Sequence, residues 1–132
     1  MTTINNDVDD RLTAACINSI VSDIHLDNLN AGWWTDINTG EPLERNRGEM
    51  LMLIVTEIAE AMEGVRKGIP DDHLRHRLME EVELADAVIR IFDYCGGHGL
   101  DLGGAIVDKL NYNKHREDHK VSNRLKEGGK KV

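Results

Sequence analysis

The sequence predicts an all-α fold, a bundle of four to five helices assembled as a homo-oligomer. Three observations carry that expectation. Leu, Ile, Val, Ala and Glu are plentiful while aromatics make up 4% of the chain and only two prolines occur, a composition that favours helices over sandwiches and barrels. Apolar residues recur at steps of three and four along most of the chain. One of the expected helices is apolar on more than one face, and a chain of 132 residues has few elements of its own to cover it.

Taken in order, Asn5, Asn6 or Asp7 can cap a first helix in which Val8, Leu12, Ala15, Ile20, Val21 and Ile24 follow helical spacing. It fades where Asn and Gly collect, between Asn28 and Gly32. Gly32-Trp33-Trp34-Thr35-Asp36, with Asn38, Gly40 and Pro42 behind it, reads as a loop. Two readings stand for its adjacent tryptophans. They plug the end of the bundle, or they offer a stacking surface to a flat ligand such as a nucleobase.

A second helix is expected over Arg47–Lys67. Leu51, Val55, Ile58, Met62 and Val65 alternate steps of four and three, as a packing stripe does, and Leu53, Glu57, Glu60 and Gly64 form a row at its edge. Gly68 and Pro70 end this helix. A third is expected over Asp72–Tyr94, with Leu74, Leu78, Val82, Ala85, Ile89 and Phe92 as its core stripe. Leu84, Val88 and Ile91 lie off that stripe, which points to a second subunit. Glu83 and Asp86 share a row with Met79 and Arg90. Gly96-Gly97-His98-Gly99 breaks the pattern. A fourth helix starts near Asp101, packs Leu102, Ile106 and Leu110 inward, and sets Lys109, Asn113 and Arg116 on one face. Residues 1–120 form the helical domain on this reading, and 121–132 a basic, disordered tail.

The net charge of −8 argues against a general nucleic-acid binder. The distribution is uneven, because half of the 16 basic residues fall from Lys109 onward. The earlier part is therefore strongly acidic, as a cation site would be, and the end can meet an anion. Cys16 and Cys95 belong to no metal-spacing motif, so reduced, buried thiols in a cytosolic setting are expected. The polar, acidic first ten residues do not read as a signal peptide, and the apolar run Leu51–Val55 is too short to span a bilayer. A soluble, cytoplasmic protein without membrane partners is the expectation.

The chemistry concentrates in two acid pairs, Glu57-Ile58-Ala59-Glu60 and Glu83-Leu84-Ala85-Asp86. Residues three apart on a helix lie one turn apart on the same face. Two neighbouring helices would therefore aim four carboxylates at one spot. Like charges raise each other's pKa and burial adds a desolvation cost, so such a cluster calls for a cation. Oxygen ligands without nearby His or Cys select Mg²⁺, with Mn²⁺ the alternative. A di-iron bundle uses Glu-x-x-His pairs, and no Glu here is followed by His at that spacing. His115 with His119, and His73 with His76, read as solvated surface. Lys109, Asn113 and Arg116 supply a point charge, an amide and a bidentate fork, which suit a phosphate chain.

Glu57-x-x-Glu60 and Glu83-x-x-Asp86, followed by Gly99-Leu100-Asp101-Leu102 and Lys109-Leu110-x-x-Asn113-x-x-Arg116, resemble the MazG-like all-α nucleoside triphosphate pyrophosphohydrolases. The resemblance runs from about Trp33 to Arg116 and is strongest to small single-domain members of the phage or bacterial housekeeping type, working in the bacterial or phage-infected host cytosol. One departure is Thr56, where many members carry an acid directly before the first motif glutamate. The resemblance implies Mg²⁺-dependent hydrolysis of a (deoxy)nucleoside triphosphate between the α- and β-phosphates, giving the monophosphate and pyrophosphate. It implies Glu57, Glu60, Glu83 and Asp86 as metal ligands, with Glu57 or Glu60 as the general base. Lys109, Asn113 and Arg116 would contact the phosphates, Trp33 or Trp34 would stack on the base, and the assembly would be a homodimer or a dimer-of-dimers tetramer. Stacking favours the larger purine face, and Asn30, Asp36 and Asn38 near the tryptophans suit a base edge, dGTP first. The alternative is a non-catalytic helical interaction module whose acids line a groove.

Overall fold

The computed structural model describes residues 3–132, with side chains from Asp9 onward, so the expected caps Asn5, Asn6 and Asp7 and the apolar Val8 fall outside the described side chains. Among the described residues the chain is all-helical, with no strand: α1 (Thr3–Asn30), α2 (Arg47–Lys67), α3 (Met79–Gly97), α4 (Leu102–His115), a 3-10 turn at Glu117–His119, and α5 (Val121–Arg124). No helix is long and apolar enough to cross a membrane among these residues. The chain divides into two compact units, 20–100 and 1–19 with 101–132, and α1 contributes to both.

In the 20–100 unit α2 and α3 form the principal helix pair. Asn46 caps α2, its side-chain oxygen accepting from the Glu49 N–H at 2.9 Å. Gly68 ends it in the left-handed conformation (φ 60°), its N–H donating to the Gly64 carbonyl. The face that α2 buries is Met50, Glu57, Ala61 and Gly64. Small residues there let the helices approach closely. A Cβ on Gly64 would stand 2.9 Å from the Glu80 backbone nitrogen.

This corrects the expected packing of α2. Leu51, Val55, Ile58, Met62 and Val65 are exposed, from 47% at Leu51 to 65% at Met62. Of the row expected at the edge of the stripe, Glu57 and Gly64 lie on the buried face with Met50 and Ala61, while Glu60 is exposed. Periodicity groups residues by face, but burial goes to the face that meets a neighbour, and α3 meets the small-residue row. On α3, Glu83, Ala87, Asp93 and Cys95 are buried, while Leu84, Val88 and Ile89 are exposed.

A second correction concerns the start of α3, at Met79 and not Asp72. The buried Asp71 accepts backbone N–H bonds from His73 (3.1 Å) and Leu74 (2.7 Å), and its own N–H donates to the Arg77 carbonyl. These bonds replace a first helical turn with a closed loop. An isolated bridge pairs Pro70 with Leu78, and the Leu78 N–H donates to the Glu81 side chain at 3.3 Å.

In the other unit, Asp101 caps α4 by accepting from Gly104 (2.9 Å) and from the Asn18 side chain (2.7 Å), while the Gly103 N–H donates to Asn18. Gly103 is needed there, since a Cβ would lie 2.3 Å from the Ala14 carbonyl oxygen. The tail expected to be disordered carries α5 and a turn in which the Arg124 guanidinium donates to the carbonyls of Lys130 and Lys131.

Candidate metal centre and adjoining cleft

Glu57 and Glu60 on α2 and Glu83 on α3 each present a carboxylate oxygen within 4.8 Å of the others. Glu57 and Glu83 are buried, each 8% exposed, and Glu60 is exposed. The α2–α3 seam carries the two buried acids because Glu57 belongs to the row facing α3. Two acids in one seam repel. Burial first, then the nearby Glu60, Glu57 and Asp86 charges and a hydrogen bond with Glu57, push the Glu83 carboxyl up to about 7. Glu83 is therefore substantially protonated at neutral pH when no cation is present.

Asp86, the fourth acid of the sequence pattern, lies one turn along α3 and is not among the three converging side chains. Its carboxyl is also raised, by burial and by Glu57, with Arg90 opposing. The donor set fits a hard divalent ion: three carboxylates, two of them shielded, at distances one ion can span. Among the described residues no other group of three His, Cys, Asp or Glu side chains converges in this way. Thr56 donates its hydroxyl to the Leu53 carbonyl at 2.7 Å.

Arg90 is an occupant that the sequence reading placed on the acid row without assigning it a role. Its Nε donates to Glu57 Oε1 at 2.6 Å. The i, i+4 spacing from Asp86 was visible in the sequence, but the bond across to α2 was not. Arg90 also lines a cleft of about 410 Å³ with Asp86, Trp33, Arg45, Asn28 and Asp93. Arg45, Asn28 and Asp93 had no sequence signal, because they come from a loop, from α1 and from a buried turn of α3 that share no motif.

The two tryptophans part company. Trp34 is packed into the unit: its indole N–H donates to Asp93 at 2.9 Å, His25 and His98 meet its ring edge to face, and Arg45 lies 5.5 Å from its centroid. Asp93, only 3% exposed, also bonds His25 at 2.8 Å. Trp33 is 64% exposed and lines the cleft. Asp36, expected at a base edge, accepts the backbone N–H groups of Asn38 and Thr39 and closes its own turn.

Lys109, Asn113 and Arg116 lie in the unit that contains α4. Lys109 stands over the Tyr112 ring at 4.8 Å. The Asn113 side-chain oxygen is buried with no hydrogen-bond partner among the described residues. Arg116 falls just past the end of α4 with extended backbone, so the expected helical face stops at Asn113. Its guanidinium forks onto Asp118 at 2.9 and 2.6 Å. The His115 Nδ1–H donates to the Asn111 carbonyl oxygen at 2.8 Å, in the last turn of its helix.

Comparison with known proteins returned no matching family model, no matching curated protein and no matching solved structure.

Proposed function

We propose that the protein is a Mg²⁺-dependent nucleoside triphosphate pyrophosphohydrolase, cleaving between the α- and β-phosphates to give the monophosphate and pyrophosphate. The observation that carries this reading is the convergence of Glu57, Glu60 and Glu83 beside a cleft lined by two arginines and an exposed tryptophan. Glu57, Glu60 and Glu83 would hold the ion, with Asp86 close enough in charge to feel Glu57. Such an ion supplies neutralisation of phosphate oxygens and a more acidic water.

The side chains have their own work. Glu60, the exposed acid of the three, is open to the attacking water and accepts its proton, with Glu57 the alternative base. Trp33 stacks on the base, which favours purine deoxynucleoside triphosphates, dGTP first. Lys109, Asn113 and Arg116 are assigned to the phosphate chain on their chemistry and on the motif they share with the resembled family. The exposed stripes on α2 and α3 support a homo-oligomer as the working form.

A second reading is a non-catalytic interaction module with an acidic groove, favoured by the Arg90–Glu57 pair, which neutralises one acid without any cation. Incubation with each common nucleoside triphosphate and Mg²⁺, with product analysis for monophosphate and pyrophosphate, decides between them. Release of both products supports the enzyme, and intact triphosphates across the panel support the module.

A further inference from the structure

The geometry points to Arg90 as a transferable counter-ion: it holds Glu57 while the acid cluster is without a cation, and passes to the substrate's phosphate chain when a divalent ion takes Glu57. This rests on the cation-site reading above and adds a residue that links metal binding to substrate binding.

Three observations carry it. The Arg90 Nε bond to Glu57 is short, at 2.6 Å, and its acceptor is one of the two buried acids of the cluster. A guanidinium there supplies the positive charge that a buried carboxylate requires. The Arg90 side chain is nonetheless 41% exposed, and its terminal nitrogens make no hydrogen bond among the described residues. Those nitrogens belong to a side chain that lines the cleft with Arg45 and Trp33, so a second acceptor can reach them without unfolding anything.

The charges then dictate the order of events. A dication drawn to Glu57, Glu60 and Glu83 repels the guanidinium next to it and takes over the neutralisation of Glu57. Released from Glu57, Arg90 is a bidentate donor in a cleft that also holds Arg45, whose guanidinium stands 4.0 Å from Asp93 and adds positive charge. A phosphate or triphosphate oxygen is the acceptor that suits the Arg90 fork. Metal and nucleotide binding become mutually reinforcing, because each removes a cost the other would face. In the absence of a cation the arginine stays on Glu57 and the cleft has one free fork fewer.

Full-length wild type, Arg90→Gln and Arg90→Lys test this without turnover. Mn²⁺ alone is titrated by electron paramagnetic resonance. Binding of an α,β-imido deoxynucleoside triphosphate is then measured by calorimetry at saturating Mn²⁺, with helical circular dichroism as the fold check. Arg90→Gln should bind Mn²⁺ about tenfold more tightly and the analogue about tenfold more weakly, opposite signs that neither misfolding nor a purely structural ion pair produces. Arg90→Lys keeps the charge but not the fork and should fall between the two, which preserves the test if the glutamine variant folds poorly. Mn²⁺ affinity unchanged or weakened in both variants, or unchanged analogue affinity, overturns the transfer while leaving the cation site standing. A wild type that binds no Mn²⁺ overturns both.

Discussion

At the scale of single residues, Glu83 makes the cluster sensitive to pH. Its carboxyl titrates near 7 in the folded chain, against 4.5 for an ordinary glutamate. The folded state therefore binds more protons than the unfolded state between those values, and cation-free stability falls as pH rises through that window. In EDTA the melting temperature should drop from pH 5 to pH 7.5, and Mg²⁺ or Mn²⁺ should restore it. Glu83→Gln cannot ionise, so it should flatten the slope. A slope unchanged in Glu83→Gln would place the titration elsewhere. Glu60→Gln and Asp86→Asn test the proposed chemistry directly: each should lower turnover by at least about 100-fold with helical content intact. Near-normal rates at saturating Mg²⁺ in either variant would remove that acid from the mechanism. The acid pairs could be read from sequence because i, i+3 spacing fixes a shared helix face. The Arg90–Glu57 bond could not, since a contact across two helices depends on their relative rotation, which no single-helix pattern encodes.

At the scale of elements, the two tryptophans should respond to mutation in different currencies. Trp34→Ala removes a ring packed against His25 and His98 and leaves the buried Asp93 without one of its donors. A stability loss of about 3 kcal/mol is expected, visible as a lower denaturation midpoint. Trp33→Ala should leave that midpoint nearly unchanged and weaken nucleotide binding about tenfold, at ~1.4 kcal/mol per decade. The reverse assignment of effects would show that Trp33 has no part in binding. The end of α2 was legible because Gly68 and Pro70 act locally. The start of α3 was not, because an apolar period continues through Leu74 and Leu78 while the Asp71 side chain captures the backbone amides that a helix would need. A hydrophobic pattern reports burial tendency, and a short polar side chain overrode it.

At the scale of the whole molecule, the apolar stripe of α2 is left exposed among the described residues. Leu51, Val55, Ile58, Met62 and Val65 are all exposed, together with Leu84 and Val88 on α3. Single exposed apolar residues are ordinary, but a whole row along a helix at coiled-coil spacing is what the proposed homo-oligomer would bury. Analytical ultracentrifugation at micromolar concentration should show a homo-oligomer, and Val55→Glu or Met62→Glu should shift it toward monomer. A wild type that sediments as an active monomer would sink this expectation. The sequence carried the stripe but not its direction: the same spacing serves an internal core or a partner, and only the neighbour of the opposite row, α3, distinguishes them.

The close approach at Gly97 sets a rule for how this sequence can drift. A Cβ there would lie 2.2 Å from the far ring of Trp34, so the two positions cannot change independently. Any related chain with a side chain at position 97 should carry something smaller than tryptophan at position 34. Along a lineage the smaller residue at 34 has to arise first, because the opposite order passes through an ancestor in which the ring has nowhere to go.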